Sequence, residues 1–182
     1  IIETAFPGAA YDDAGEASLG SGFPEAAMAY AAHLGETSVL LADFGINSAG
    51  ELASPMIAGA PYAFFHGSYT AVDWFCYGIW AEGELVRGLS LSPDDGIIED
   101  VGDRLAFEGP FWAGARAADL DEGESYPLPF HPLDLANEAL ATLFGFRLEG
   151  ERTEIDPLGI RLAVFRRRAS PLDAKLARLG VR

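Results

Sequence analysis

Four short apolar runs between residues 61 and 101 constrain the fold of this chain more than any other feature of its sequence. Each run is rich in β-branched and aromatic residues, and only short turn-forming segments separate one run from the next. The runs occupy residues 61–68, 70–80, 84–92 and 96–101. Connections this short join antiparallel neighbours, because a parallel pair of strands requires a long crossover. The sequence therefore predicts an antiparallel sheet.

The hairpin over residues 71–92 is predicted to be the centre of that sheet. Within 71–80, both alternating sets of side chains are apolar, and this pattern indicates a strand that is covered on both faces. We expect Trp74, Phe75, Cys76 and Ile79 to be nearly inaccessible to solvent. Replacing Trp74 with alanine is then expected to cost about 3–5 kcal/mol through cavity formation.

The rest of the chain predicts two further helices and several extended segments. Residues 24–34 and 132–144 each begin with a proline and are followed by a glycine, which is typical of helix ends. Residues 1–22 are predicted to be loop, and residues 169–182 to form a basic C-terminal helix docked on protein. Further strands or extended segments are expected over 37–44, 105–112, 146–150 and 158–165.

These elements predict the α+β class. The expected architecture is an antiparallel sheet of about five to seven strands, with the central hairpin 71–92, and two or three helices packed against it. The chain has 182 residues, of which 49% are hydrophobic, and this composition is typical of a globular protein. We therefore expect residues 1–182 to form a single domain.

The charge is strongly acidic and unevenly distributed. The formal net charge is −16, and residues 1–86 contain eleven acidic residues but no Lys or Arg. Such a surface repels phosphate backbones, so nucleic acid is not an expected partner. An acid-rich composition is also found in proteins of high-salt or GC-rich hosts and favours solubility. The functional alternative is an acidic face for a basic protein partner.

The expected location is the cytoplasm, without membrane association. The single cysteine, Cys76, leaves no internal disulfide and fits a reducing compartment. No apolar run is long enough to span a bilayer, and no signal peptide is visible at the start. Because the chain opens without Met, we expect that a further N-terminal segment precedes it. No cofactor is predicted.

Five carboxylates between residues 94 and 103 form the most conspicuous candidate site. The Ser-Pro-Asp-Asp-Gly segment has proline, aspartate and glycine at the positions that a tight turn favours, so Asp94 and Asp95 are predicted to lie in a solvated turn. The alternative is a site for Mg²⁺ or Ca²⁺, in which Glu99 turns inward beside Ser90 or Ser92. The spacing is not that of an EF-hand, and the prediction is a turn with no metal.

Two histidines and one tryptophan complete the candidate residues. His66 precedes Asp73 by seven positions, and Ser68 or Ser90 would complete a Ser-His-Asp set, but no G-x-S-x-G motif accompanies either serine. A hydrogen-bonded histidine at a strand end is therefore the preferred interpretation of His66. His131 directly precedes Pro132 and is predicted to help begin a helix. Trp112 is the tryptophan best placed to line a pocket.

Three long segments carry a resemblance to a known family. They read VDWFCYGIW (72–80), LSLSPDDGIIEDVGDRLAFEGPFWAG (89–114) and YPLPFHPLDLANEALATLFGFRLEG (126–150). Over about residues 66–165 the chain resembles an uncharacterised domain-of-unknown-function family of GC-rich Gram-positive bacteria, whereas residues 1–60 depart from it. The resemblance implies a cytoplasmic bacterial protein and carries no activity. If its segments 88–114 and 126–135 approach one another, five candidates share one surface or cleft: Asp94, Asp95, Glu99, Trp112 and His131.

Two functions of different class follow from these features. The preferred hypothesis is a non-catalytic interaction module or accessory subunit, whose partner is another protein or a second copy of the chain. It rests on the acidic charge, the long loop 115–131 and the lack of a catalytic motif. The alternative is a small hydrolase or metal-dependent enzyme that uses the carboxylates of 94–100 with His66 or His131.

Overall fold

The computed structural model describes residues 1–52, 54–119, 126–148, 150 and 153–169. The chain divides into two compact units, one formed by residues 1–44 with the segment that starts at Pro157, and the other by Gly45–Asp156. Each unit contains one four-stranded antiparallel sheet, so the α+β class predicted from the sequence is confirmed. The expectation of a single domain concerns independent folding and stays a prediction.

The sheet of the second unit is a simple meander. Its strands follow one another in space as they do in the chain, in the order β4-β5-β6-β7, and every neighbouring pair is antiparallel. The central hairpin is therefore confirmed, because β5 and β6 form the two inner strands. The strands are β4 (Tyr62–Tyr69), β5 (Trp74–Ala81), β6 (Glu84–Ser92) and β7 (Gly96–Val101).

The turn between β5 and β6 accounts for the register of the hairpin. Ala81 pairs with Glu84, so only Glu82 and Gly83 lie in the loop, and both have positive φ angles of 51° and 88°. A two-residue loop with two left-handed residues matches the right-handed twist of the strands that it joins. Glycine adopts this conformation without strain, so Gly83 suits the second loop position.

Both faces of β5 are covered, as its sequence indicates. On one face, Phe75 and Tyr77 belong to a buried cluster that the helix α4 (Pro132–Phe144) closes with Leu135. On the opposite face, the 3-10 turn Ala49–Glu51 packs close to the sheet. A Cβ atom on Gly78 would lie only 2.7 Å from the Cβ of Ala49, so the turn requires glycine at this position.

The helix α4 is confirmed at both predicted ends. It begins at Pro132 and is followed by Gly145, whose φ of 77° places it in the left-handed region that ends many helices. Five residues on its inner face are buried: Pro132, Leu135, Ala136, Ala139 and Leu140. No helix among the described residues has both the length and the apolar character that a membrane crossing requires.

The sheet of the first unit brings distant parts of the chain together. Its order is β1-β8-β2-β3, with β8 inserted between β1 and β2, and all pairs are antiparallel. Leu162 and Val164 of β8 are buried, as the predicted strand over 158–165 requires. The strands are β1 (Tyr11–Ser18), β2 (Met28–Leu34), β3 (Thr37–Ala42) and β8 (Arg161–Arg167).

The helix predicted over residues 24–34 is wrong, because Met28–Leu34 is the strand β2. Ala29 and Ala31 alternate toward a small core, with partly buried side chains of β3 and β8 packed against them. Gly35, which we expected to end a helix, instead opens the two-residue turn to β3 with a φ of 63°. Alanine has the highest intrinsic helix propensity, but propensity is a weak preference, and pairing with a strand on each side overrides it here.

The loop predicted over residues 1–22 is also wrong. This segment contains the short helix α1 (Ile2–Ala5) and the edge strand β1. Most side chains of β1 are exposed and many are acidic or small, so the strand lacks the apolar alternation that would identify it. The strand forms because it pairs with β8, and Asp12 accepts two hydrogen bonds from the Arg168 Nε at 2.8 and 2.9 Å.

Two predicted extended segments have other structures. Residues 105–112 form the 3-10 turn Ala106–Glu108 and the helix α3 (Gly109–Trp112), in which Pro110 suits the first turn. Among residues 146–150, those that are described form no strand; Arg147 reaches back to Glu138 of α4 at 2.7 Å instead. The helix α2 (Ser54–Ile57) and the 3-10 turn Pro157–Gly159 are the remaining elements of the described residues. The predicted C-terminal helix lies outside the described residues beyond Ala169.

The accessibility of β5 corrects the expected effect of Trp74→Ala. Phe75 and Cys76 are fully buried as predicted, but Trp74 and Ile79 are only half-buried. We therefore expect Trp74→Ala to lower the free energy of unfolding by about 1–2 kcal/mol rather than by the full cost of a core cavity. Urea unfolding of Trp74→Ala and of Phe75→Ala measures the two losses of stability. Equal losses would contradict this prediction.

Candidate functional site

The turn between β6 and β7 contains Asp94 and Asp95, as the sequence predicts. Both side chains are exposed. The hydroxyl of Ser92 donates to Asp95 Oδ2 at 3.1 Å and accepts from the Asp95 backbone N–H at 3.0 Å. Gly96 has a φ of 71° and completes the turn. These contacts are local, and they are those of a turn in which Ser92 and Asp95 stabilise one another.

Glu99 occupies the position opposite Ser90 that the sequence allowed, but it serves the fold. The two residues are partners in the β6–β7 ladder. The Glu99 carboxylate accepts hydrogen bonds from the backbone N–H groups of Ala49 and Gly50, at 2.9 and 3.0 Å. Both carboxylate oxygens are therefore used to hold the 3-10 turn on the sheet.

Ser90 and Trp74 bind the chain just before that turn, at Asn47. The Ser90 hydroxyl donates to the Asn47 carbonyl at 2.5 Å and accepts from the Trp74 indole N–H at 3.1 Å. A serine whose proton is given to a backbone carbonyl is a poor nucleophile, because activation requires a base that takes this proton. Cys76 lies nearby, and burial, with a further contribution from the charge of Glu99, raises the pKa of its thiol to about 12.

His66 lies inside β4 and faces the helix α4. Its Nε2–H donates to the Ala136 carbonyl at 3.0 Å, and its ring is packed between Phe75 and Phe144. Because burial disfavours the charged imidazolium, the pKa of His66 is lowered to about 4. The ring is thus a neutral, hydrogen-bonded group in the interior, and the alternative Ser-His-Asp set with Asp73 does not form at His66.

This histidine predicts a pH dependence of stability. The folded pKa of about 4 lies below the ordinary value of 6.5, so the contribution is complete above pH 6.5 and is lost as the pH falls toward 4. We expect His66 to account for a loss of about 3 kcal/mol in unfolding free energy over this range. Urea unfolding at several pH values measures it. His66→Gln should flatten the dependence, and His33→Gln, at an exposed histidine, should leave it unchanged; equal slopes in all three proteins would contradict the assignment.

His131 contacts Asp73, which the sequence had paired with His66. The Nδ1 atom accepts from the Leu133 backbone N–H at 3.3 Å and so caps the start of α4, as predicted. The Nε2 atom lies 3.5 Å from Asp73 Oδ2, and the ring of Tyr126 stacks on the imidazole at 5.7 Å. Both ring nitrogens are therefore engaged, which leaves neither available as a general base in this arrangement.

Trp112 lies in the contact between segments 88–114 and 126–135. Its ring meets Phe130 edge-on at 4.9 Å, and the guanidinium of Arg104 lies 3.9 Å above it. The indole N–H donates to Glu108 Oε2 at 3.2 Å. The segments 88–114 and 126–135 thus do approach one another, but through packed aromatic rings.

A buried charged network that the sequence reasoning missed lies beneath these aromatic rings. Arg87 is 1% exposed, and its Nη2 meets Glu108 Oε2 at 2.6 Å. Its Nη1 donates to Asp100 Oδ1 at 2.6 Å and to the Val101 carbonyl at 2.8 Å, while Nε donates to the Tyr77 hydroxyl at 3.1 Å. The signal was present: Arg87 falls in the same alternating series as Leu89, on the apolar face of β6.

Glu108 is fully buried and fully hydrogen-bonded. Its Oε1 accepts from the Tyr77 hydroxyl at 2.6 Å and from the Leu105 backbone N–H at 2.8 Å, in addition to the bonds from Arg87 and Trp112. Burial alone would raise the pKa of Glu108, but the bonds from Arg87, Tyr77 and Leu105 hold it below its ordinary value. Burial, followed by the neighbouring Glu108 carboxylate, raises the pKa of Tyr77. The network is a closed structural unit with an ionised carboxylate.

The model of a family of unknown function, DUF6928, matches residues 1–165. The chain belongs to this family. No curated protein and no solved structure matches the chain. The match to DUF6928 begins at residue 1, so the expectation that residues 1–60 depart from the family is wrong. It includes β1 through most of β8, and thus covers both sheets.

The six candidate residues of this DUF6928 member lie in separate places. Asp94 and Asp95 are neighbours in one turn, but among the described residues no hydrogen bond, ion pair or ring contact joins any two of the six, and no group of three His, Cys, Asp or Glu side chains is arranged to hold a metal ion. Their individual positions are a turn, two strands, a helix cap and an aromatic contact. The residues are Asp94, Asp95, Glu99, Trp112, His131 and His66.

The turn carboxylates predict a small effect on stability. We expect the double variant Asp94→Asn, Asp95→Asn to change the free energy of unfolding by less than about 1 kcal/mol, because both side chains are exposed. Millimolar Mg²⁺ or Ca²⁺ should leave the melting temperature of the unmodified protein unchanged. A rise in melting temperature with either ion, absent in the double variant, would contradict this prediction and favour a metal site.

Proposed function

We propose that this chain is a non-catalytic, acidic interaction module that binds a basic protein partner in the cytoplasm of a bacterial cell. The proposal rests on one observation: the candidate polar groups make contacts that hold the fold together. Glu99, Ser90, His66 and His131 are each held in a contact that stabilises the fold, and none is left at the mouth of a shared cleft. An active site instead brings a nucleophile, a base and a polarising group within reach of one atom.

The charge supports a basic partner. The net charge is −16, and residues 1–86 contribute acids without a single Lys or Arg. In the second unit, Arg87 and Arg147 have carboxylate partners at 2.6 and 2.7 Å, so they do not offset the acidic surface outside those pairs. An acidic surface attracts basic partners over about 10 Å at moderate ionic strength and speeds their encounter.

The alternative is a small hydrolase or metal-dependent enzyme that uses the carboxylates of 94–100 with His66 or His131. The contact in its favour is the His131–Asp73 pair, which orients a histidine with a carboxylate. Against it, Nδ1 of His131 accepts a hydrogen bond from the Leu133 N–H, and Asp95 is bonded to Ser92 within its own turn. The interaction module therefore accounts for more of the contacts.

Capture from an extract of the host tests the proposal. The immobilised chain is exposed to the extract at about 0.05 M salt, washed, and eluted at about 0.5 M salt, where charge attraction is screened. We expect a basic protein to be retained and then released, and mass spectrometry to identify it. The matched control is an unrelated protein of similar net charge. If the chain retains nothing beyond this control, the proposal fails.

A further inference from the structure

The edge strand β4 has features that most proteins avoid at a sheet edge. Among the described strands, β4 pairs with β5 alone. The pairing runs for eight residues without a register shift. The strand contains no Lys, Arg, Asp, Glu or Pro, the residues that usually protect an edge from pairing with another chain. The other edge of this sheet differs, since β7 contains two acidic residues and meets β6 across a bulge.

Aromatic side chains extend from this edge into solvent. Tyr62 is 66% exposed, Phe64 48% and Tyr69 60%. Tyr62 and Phe64 lie on the face of the sheet that carries His66, while Tyr69 lies on the other face, because side chains alternate along a strand. Exposed aromatic rings beside an unprotected edge are features of strands that bind an extended peptide.

Carboxylates lie at both ends of β4, and they specify the charge of such a peptide. Asp73 follows the end of the strand, in the turn to β5. At the other end, the carboxylates are those of Glu82 and Glu84. Tyr62 pairs with Ala81, Ala81 pairs with Glu84, and the Glu82 N–H donates to the Pro61 carbonyl at 2.9 Å. Asp73 lies 3.5 Å from His131, whereas no Lys or Arg precedes residue 87 to accompany Glu82 at the other end.

An open depression begins at the start of β4. Small side chains and a single carboxylate, Glu82, line it. This combination fits a Lys or Arg side chain, whose aliphatic stem packs on apolar surface while its charged end reaches an acid. The lining residues are Ala58, Gly59, Ala60, Pro61, Glu82 and Gly83.

We propose that β4 docks an extended basic segment of the partner protein, which adds to the sheet as a fifth strand. Backbone hydrogen bonds to β4 give affinity, Tyr62 and Phe64 contact alternate side chains, and a Lys or Arg enters the depression beside Glu82. This inference rests on the proposed function and names its surface. A second copy of the chain is disfavoured as occupant, because pairing two β4 strands would bring two bodies of charge −16 together.

A peptide of alternating lysine and valine, eight residues long and carrying a fluorescent label, is the probe. Fluorescence anisotropy with the full chain at about 0.05 M salt should show saturable binding. A peptide of alternating glutamate and valine should bind at least about tenfold more weakly. A block peptide of four lysines and four valines has the same composition but cannot alternate along a strand, so it should also bind more weakly. Amide hydrogen exchange should slow in β4 and not in β7.

Matched variants locate the site. Tyr62→Lys should weaken binding of the alternating peptide about tenfold, because it places like charge on the docking edge. Ile97→Lys, at a 47% exposed position on the opposite edge, should leave binding unchanged. Circular dichroism confirms that both variants fold. Glu82→Gln should weaken binding at low salt, with a smaller effect at high salt.

Three results would overturn the docking site. These are no saturable binding, equal binding of the alternating and block peptides, or slowed exchange in β7 rather than in β4. A peptide-free chain that doubles in mass with protected β4 would likewise overturn it, by assigning the edge to a second copy. A host partner whose retention is unaffected by Tyr62→Lys would refute this site while leaving the interaction module intact, whereas failure to retain any partner would refute the module itself.

Discussion

Replacing Glu108 by glutamine is expected to lower the free energy of unfolding by about 3–5 kcal/mol, because it removes one partner of a buried ion pair. The Arg87 guanidinium would remain fully buried with only Asp100 as a charged partner. The shape of the side chain is retained, so the loss reports charge and hydrogen bonding rather than packing. Denaturant unfolding at pH 7 measures it.

The control for this variant is Asp103→Asn, which neutralises an exposed carboxylate of the same region and should change stability by less than about 0.5 kcal/mol. A double-mutant cycle separates the pair from its surroundings: Arg87→Met combined with Glu108→Gln should cost less than the sum of the single changes. Additive costs would show that the two side chains do not act as a pair.

The same carboxylate predicts a dependence on acid. The folded pKa of Glu108 lies below its ordinary value of 4.5, so its contribution is complete above about pH 4.5 and is lost as the pH falls below it. The difference in stability between the unmodified protein and Glu108→Gln should therefore shrink on acidification below that value. A difference that stays constant would contradict an ionised Glu108.

Phe75→Ala is expected to cost about 3–5 kcal/mol, the range for removal of a fully buried aromatic ring. The ring is stacked on Tyr77 at 5.7 Å and contacts His66 at 5.3 Å, at the centre of the larger core. The vacated volume cannot be refilled easily, because a strand and a helix hold its walls in place. Thermal or urea unfolding measures the loss.

The adjacent residue provides the matched comparison. Trp74 is larger than Phe75 but only half-buried, on the opposite face of the same strand. If Trp74→Ala proves as costly as Phe75→Ala, the two faces of β5 are equally important, and the core does not lie on the α4 side as described. A loss for Phe75→Ala below about 2 kcal/mol would contradict the core assignment directly.

The sequence predicted well those elements whose local signals agree with their surroundings. The hairpin of β5 and β6 has apolar strands and a two-residue turn with Gly83, and both features act over a few residues. The helix α4 has Pro132 at its start and Gly145 at its end, where capping chemistry is local. These elements could be identified because their signals lie within a few residues and do not depend on distant parts of the chain.

The prediction failed where pairing partners are distant in the chain. β1 pairs with β8 across about 150 residues, and β2 becomes a strand only because β3 and β8 lie on either side of it. The alanines of β2 favour a helix over a strand, so the local sequence indicated the wrong secondary structure. The buried network was missed for a related reason: Arg87 and Glu108 lie 21 positions apart, so the place of Arg87 on the apolar face of β6 did not reveal its partner.

The candidate site shows the same limit. Asp94 and Asp95 were placed correctly in a turn, and His131 at the start of a helix, because both roles are local. The partner of Glu99 is a backbone turn about 50 positions earlier in the chain, which composition does not reveal. The functional hypothesis, an acidic module with a basic partner, stays a prediction.

Sedimentation velocity of the fluorescently labelled chain in host extract tests that hypothesis most directly. The label is attached to the N-terminal amine, since Cys76 is buried. At about 0.05 M salt we expect the label to sediment faster than the free 19.4 kDa chain, and to return to the free rate at about 0.5 M salt. A label that sediments as the free chain at both salt concentrations would contradict the account.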